Sequence, residues 1–153
     1  MHARIAQLME ETRVTSPGTK SADKNTHSGG CLCGGVRYLI RGALRDAIAC
    51  HCTQCRRTSG HHAAMTSAAS DDLLLTSSST LAWYRSSATA ERGFCRVCGS
   101  NLFWRPEGEG RTAITAGTLD GPTGIKLAEH IFVGDKGDYY SIDDDLPKKH
   151  GWG

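Results

Sequence analysis

Seven cysteines fall into three short groups, and their spacing constrains the fold of this chain more than any other feature. The first group is a C-x-C pair at 31–33, the second is a C-x-C-x-x-C run at 50–55, and the third is a C-x-x-C-G sequence at 95–99. Cysteine pairs at such spacings are typical of metal sites in which distant segments share one ion. We therefore expect the fold to be organised around bound metal.

Two of the three groups together supply the ligands of one closed metal site. In the C-x-x-C-G sequence, two intervening residues let the chain turn so that both sulfurs face one ion, and the glycine relieves the tight bend. In a C-x-C pair on a strand, both side chains project to the same face. Four thiolates are a typical ligand set of structural zinc. We predict that Cys31, Cys33, Cys95 and Cys98 hold this ion.

The remaining group, Cys50, Cys52 and Cys55, supplies three ligands for a second zinc ion. Three protein ligands are typical of a catalytic zinc site, whose fourth position takes water or substrate. Another possibility is a second structural zinc site closed by a histidine, for which His61 and His62 are the candidates.

Other assignments of these seven cysteines remain possible. His51 is a poor fourth ligand because strand alternation turns it away from Cys50 and Cys52. Disulfides would require strained bridges within C-x-C pairs, and free reactive thiols without metal would be a further alternative. The open zinc site is the preferred prediction, giving two zinc ions per chain with the second site partly empty.

The charge of the open site indicates the chemistry that it would support. Zinc with three thiolates has a net charge of about −1, so it is a weaker Lewis acid than zinc bound by three histidines. Such a site favours holding another sulfur as a thiolate, which can add to the carbonyl of a small aldehyde such as formaldehyde. Arg56 and Arg57 follow the last ligand and are candidates to bind the carboxylates of a thiol such as glutathione. A solvated surface pair is the alternative for these arginines.

Composition excludes several other classes of function. The chain has 153 residues, with 39% hydrophobic and 22% charged residues, which suits a single globular domain. A net charge of +2 is too small to indicate nucleic-acid binding. The apolar runs are too short for a membrane span or a signal peptide, so we expect neither a membrane nor a nucleic acid as partner. The expected location is cytoplasmic, where cysteines serve metal or thiol chemistry rather than disulfides.

The pattern of apolar residues predicts a mainly β fold of small antiparallel sheets. Short runs rich in β-branched and aromatic residues predict strands at 36–40, 47–52, 63–67, 80–84, 101–104, 112–115 and 129–133. The one helical stretch after residue 30 is short, around 53–59. Residues 1–27 are polar and lack periodicity, which predicts a disordered extension, and 28–150 form the zinc domain.

Two further features have a structural interpretation. His130 lies in an apolar strand, so we expect a buried histidine with satisfied hydrogen bonds rather than a catalytic base. The acidic run 143–145 is explained by a solvated loop.

Four motifs give this chain a resemblance to a known family. They are the sequences GCLCGGVRY at 30–38, CHCTQCRRTSG at 50–60, FCRVCGS at 94–100 and EHIFV at 129–133. Over about 29–148 the chain resembles the glutathione-dependent formaldehyde-activating enzyme and centromere-protein-V-like family. In place of the tryptophan that many members have in the closing segment, this chain has Asp138, Tyr139 and Tyr140.

The resemblance implies a β-tent fold pinned by a structural zinc, a second zinc, and carbon–sulfur lyase chemistry. The reaction of the family is reversible formation of S-hydroxymethylglutathione from formaldehyde and glutathione. By position, Cys31, Cys33, Cys95 and Cys98 would bind the structural zinc, and Cys50, Cys52 and Cys55 the catalytic one. Two functions of other classes stay open: a non-catalytic zinc scaffold with both ions structural, and thiol-based sensing by the second group.

Overall fold

A computed structural model describes residues 25–152. Over this part of the chain the structure has one α-helix, α1 (Thr53–Ser59), and ten strands. The strands are β1 (Thr26–Gly30), β2 (Val36–Arg41), β3 (Ala47–Cys50), β4 (Ala63–Ala69), β5 (Leu73–Ser78), β6 (Leu81–Ser87), β7 (Ala90–Cys95), β8 (Asn101–Pro106), β9 (Arg111–Thr115) and β10 (Leu127–Ile131). Single turns of 3₁₀-helix occupy Ser70–Asp72, Ala116–Thr118 and Val133–Asp135.

The larger sheet has seven strands in the order β10-β3-β4-β9-β8-β7-β6. All of its neighbours pair antiparallel except β10 and β3, which run parallel. In this register Cys50 lies opposite Ala63, and Ile48 lies opposite Met65. Because side chains alternate along a strand, Ile48 and Cys50 face the same side of the sheet. That side forms the wall of the cavity described below.

The smaller sheet is antiparallel and has the strand order β1-β2-β5. Its central strand β2 alternates buried and more exposed residues, and Val36, Tyr38 and Ile40 are almost fully buried. These side chains pack with Leu102 and Phe103 of the larger sheet in one core cluster. Burial of apolar surface between the two sheets is therefore the main force that holds them together.

The structure confirms the predicted mainly β fold of antiparallel sheets, with one parallel pair in the larger sheet. Each of the seven predicted strands falls on an observed strand, and the predicted helical stretch coincides with α1. The predicted strand at 47–52 ends earlier, at Cys50, because Cys52 already caps α1. The sequence did not predict β1, β5 or β7.

The predicted disordered extension over 1–27 lies mostly outside the described residues. Its last two residues belong to β1, which begins at Thr26. Among the described residues, 25–152, the helices are too short or too polar to cross a bilayer.

Candidate metal centres

The first candidate metal centre consists of Cys31, Cys33, Cys95 and Cys98. Cys31 and Cys33 lie in the turn between β1 and β2, Cys95 ends β7, and Cys98 lies in the turn before β8. The Sγ atoms all lie within 4.8 Å of one another, and Cys33 Sγ is 3.6 Å from both Cys31 Sγ and Cys95 Sγ. Four sulfurs at about 2.3 Å from a tetrahedral zinc would be about 3.8 Å apart. The geometry therefore fits a four-thiolate metal ion.

Polar groups contact the cysteines of this centre and stabilise two of them, Cys95 and Cys98, as thiolates. The backbone N–H of Val36 donates to Cys31 Sγ at 3.2 Å. Thr80 Oγ1 lies 3.1 Å from Cys95 Sγ, and this hydroxyl holds the pKa of Cys95 below its ordinary value. Hydrogen bonds from the Ser100 side chain and backbone lower the pKa of Cys98 to about 5. Lowered thiol pKa values favour metal binding, because the thiolate is the ligand.

The second candidate centre is Cys50, Cys52 and Cys55, whose Sγ atoms also lie within 4.8 Å of one another. Cys50 ends β3, Cys52 is the N-cap residue of α1, and Cys55 lies in the first turn of that helix. The backbone N–H of Cys55 donates to Cys52 Sγ at 3.4 Å. The strand-to-helix turn thus brings three thiols together over six residues, and the group could hold one metal ion.

The thiols of this centre differ in pKa. Hydrogen bonds from the Cys50 and Cys55 thiols hold the pKa of Cys52 well below its ordinary value. The same interactions, together with burial, raise the pKa of Cys50. These interactions favour the thiolate form at Cys52 over that at Cys50.

The three cysteines line a cavity of about 740 Å³. Its walls are mainly apolar and include Ile48, Met65, Trp104, Phe132 and Trp152. Apolar walls with few polar groups are typical of small-molecule sites. The cavity leaves room for a small-molecule ligand beside the second centre.

Three arginines also line this cavity, and the sequence analysis did not identify them: Arg45, Arg92 and Arg111. Arg92 Nη2 lies 3.7 Å from Cys55 Sγ and 3.4 Å from Gln54 Oε1. Arg92 comes from β7 and Arg111 from β9, whereas Arg45 precedes β3. Their positions depend on strand register across the larger sheet, so no local motif could have indicated them.

The predicted substrate-binding residues Arg56 and Arg57 do not line this cavity. Both lie in α1 and follow Cys55 directly, Arg57 being exposed. Their predicted role in binding a thiol carboxylate stays a prediction.

The candidate fourth ligands His61 and His62 are not in the group formed by the three cysteines. His61 Nδ1 lies 2.8 Å from the Tyr139 hydroxyl, and His62 lines a separate cavity of about 420 Å³. Within the described residues, the candidate ligands of the second centre are therefore three cysteines and no histidine.

A buried chain of hydrogen bonds lies behind the second centre. His51 Nε2 is 2.9 Å from His130 Nδ1, and His130 Nε2 is 2.9 Å from Asp144 Oδ2. His51 and His130 are 1% and 4% exposed, which confirms the prediction that His130 is a buried, satisfied histidine. Solvation does not fully explain the acidic run 143–145, because Asp144 accepts a hydrogen bond from His130. Burial, and then the neighbouring histidines, lower the pKa of His51 to about 4, so it is neutral at pH 7.

The fold and these two cysteine groups define a small, mainly β protein with two candidate metal centres, one enclosed by four thiols and one with three thiols facing a cavity. The family model described as glutathione-dependent formaldehyde-activating enzyme matches residues 26–135. The chain belongs to this family.

Among individual proteins, this chain is similar to a protein of solved structure. The crystal structure of a Rhodobacter sphaeroides protein is similar, with a TM-score of 0.52 and 30% sequence identity over 62% of this chain and 89% of that chain. No curated protein matches this chain.

Proposed function

We propose that the protein is a zinc-dependent carbon–sulfur lyase that acts on the adduct of a thiol, such as glutathione, with formaldehyde or another small aldehyde. The observation that carries the proposal is the group of Cys50, Cys52 and Cys55, which has three ligands and opens on a cavity. A site with three protein ligands leaves one coordination position for a substrate. Membership of the family supports the same chemistry.

The residues suit zinc at both centres, because tetrahedral thiolate ligation is the coordination that zinc prefers. Cys31, Cys33, Cys95 and Cys98 would hold a structural zinc, and Cys50, Cys52 and Cys55 the second ion. At the second centre zinc would hold the substrate sulfur as a nucleophilic thiolate. The seven thiols are all free, as this use requires, and a reducing compartment such as the cytoplasm would keep them so.

In the synthetic direction, the thiol sulfur forms a bond to the aldehyde carbon while the carbonyl π bond breaks. The aldehyde oxygen gains the electron pair and takes the proton lost by the thiol, which yields the hydroxymethyl thioether. Arg92 lies beside Cys55 Sγ in the cavity wall, where its guanidinium would stabilise the negative charge that develops on this oxygen. The apolar walls exclude water and strengthen that interaction.

Calorimetric titration of the zinc-loaded protein with glutathione tests the proposal. We expect binding in the millimolar range or tighter, and faster exchange between formaldehyde and S-hydroxymethylglutathione when the protein is added. Cys52→Ser should retain the fold and lose both effects, because it removes one ligand of the second centre only. Flat titrations with glutathione and with S-hydroxymethylglutathione would contradict the proposal and favour a non-catalytic zinc scaffold.

A further inference from the structure

The wall of the cavity contains a pair of cationic side chains on the larger sheet, beyond the second centre. We propose that Arg45 and Arg111 form a binding site for a carboxylate of the thiol substrate. This inference rests on the proposed function, because it assigns one end of the substrate whose sulfur would lie at Cys50, Cys52 and Cys55.

The two guanidinium groups meet at one buried serine. Arg45 Nε donates to Ser67 Oγ at 3.2 Å, and Arg111 Nη2 donates to the same oxygen at 2.9 Å. Arg45 Nη2 also donates to the backbone carbonyl of Met65 at 3.1 Å. Ser67 is 7% exposed, so both arginines are anchored at a fixed point in the cavity wall.

This pair of cations has no carboxylate partner within the described part of the chain. Arg37, Arg85 and Arg105 each form an ion pair there, but neither Arg45 nor Arg111 has a carboxylate oxygen within 4.0 Å. Burial, and then the charge of Arg111, lower the pKa of Arg45, and the more distant charges of Glu129 and Asp46 only partly oppose this. Two adjacent guanidinium groups repel each other, and a bound anion would reduce that repulsion.

Enough donors remain for a carboxylate. A guanidinium has five N–H donors, and the hydrogen bonds of Arg45 occupy only its Nε–H and one N–H of Nη2. The remaining N–H groups can form the parallel hydrogen bonds that arginine makes with carboxylates. A lysine pair could not offer this geometry.

The position of the pair selects the carboxylate of the thiol rather than that of a small aldehyde. Ala63, which lies opposite Cys50, and Ser67 are four residues apart on β4, a rise of about 13 Å. An acid attached to the reacting carbonyl carbon is only one bond from that carbon, which is short for this span. The span favours a peptide-like thiol, with several bonds between sulfur and carboxylate.

The test compares glutathione with glutathione diethyl ester, which keeps the thiol and the peptide but has no free carboxylate. Both are titrated calorimetrically into zinc-loaded protein, with zinc content and thermal midpoint measured for every variant. We expect glutathione to bind at least about 10-fold more tightly than the ester, the effect typical of charge-assisted hydrogen bonds. Arg111→Gln, at an exposed position, and Arg45→Gln should each remove most of this preference while ester binding stays unchanged.

Arg41→Gln is the matched control, because Arg41 is exposed on β2 and does not line the cavity. It should leave both affinities unchanged. Equal binding of the two thiols, or an unchanged preference of Arg111→Gln for glutathione over the ester, would overturn this inference alone. The arginines would then have only a structural role, through their hydrogen bonds to β4. Failure of both thiols to bind the unaltered protein would overturn the proposed function and this inference with it.

Discussion

At the scale of single residues, the hydrogen-bond chain behind the second centre fixes the tautomers of two histidines. The Asp144 carboxylate accepts from His130 Nε2, so with a single proton on the His130 ring the other nitrogen accepts from His51 Nε2. His51 Nδ1 is then an acceptor, and the Tyr140 hydroxyl, 2.5 Å away, donates to it. Tyr140 therefore holds the ring of a residue that lies between the ligands Cys50 and Cys52.

Tyr140→Phe should destabilise the protein, because it leaves a buried ring nitrogen of His51 without a donor. The expected loss is about 1–3 kcal/mol in the free energy of unfolding. Tyr139→Phe is the control: Tyr139 is 61% exposed, and its change should stay within about 0.5 kcal/mol. Urea unfolding at a fixed zinc concentration measures both, and equal effects would contradict the tautomer assignment.

The sequence could predict the cysteines of both centres but not the arginines of the cavity. Within each group the cysteines are two or three positions apart, so local chain geometry alone brings their sulfurs together. Arg45, Arg92 and Arg111 reach the cavity from three separate parts of the chain. Their convergence depends on strand order, and a single sequence does not encode strand order in any local pattern. The sequence favoured Arg56 and Arg57 because they follow the candidate ligand Cys55 directly along the chain.

At the scale of elements, small residues explain why β7 was not predicted. The buried positions of this strand include Ala90, Gly93 and Cys95, which lack the β-branched and aromatic side chains typical of strands. A Cβ atom on Gly93 would lie 3.0 Å from ring atoms of Trp83 and Phe103. The glycine therefore lets two aromatic rings pack against the backbone of β7. Gly93 thus weakens the sequence pattern of a strand, yet the packing of the two rings requires a glycine at this position.

Gly93→Ala should consequently destabilise the larger sheet. The added methyl group must displace buried aromatic rings, at a cost of about 1–3 kcal/mol in the free energy of unfolding. Gly117→Ala is the control, since a Cβ there meets no atom within 4 Å and should change stability by no more than about 0.5 kcal/mol. Thermal midpoints of the zinc-loaded variants measure both changes. A Gly93→Ala variant as stable as the control would show that the rings can move aside freely.

At the scale of the whole molecule, the two centres have different relations to the fold. The four-cysteine centre connects the β1–β2 turn of the smaller sheet with the β7–β8 region of the larger one, and Cys33 and Cys95 are 62 positions apart. An ion there closes a long loop between the sheets, so its binding energy contributes directly to folding. The three cysteines of the second centre lie within one strand-to-helix turn. An ion there adds little to the connection between the sheets.

Removal of zinc by a chelator should therefore proceed in two steps. The first ion should leave the second centre, which has three protein ligands, while the far-ultraviolet circular dichroism keeps its β-sheet form. The second ion should leave the four-cysteine centre only as that spectrum is lost, because an ion there would link the two sheets and contribute to folding. A colorimetric zinc indicator read together with circular dichroism follows both steps, with about two ions released per chain. Cys52→Ser should show only the second step, and loss of sheet structure with the first ion would mean that both centres are structural.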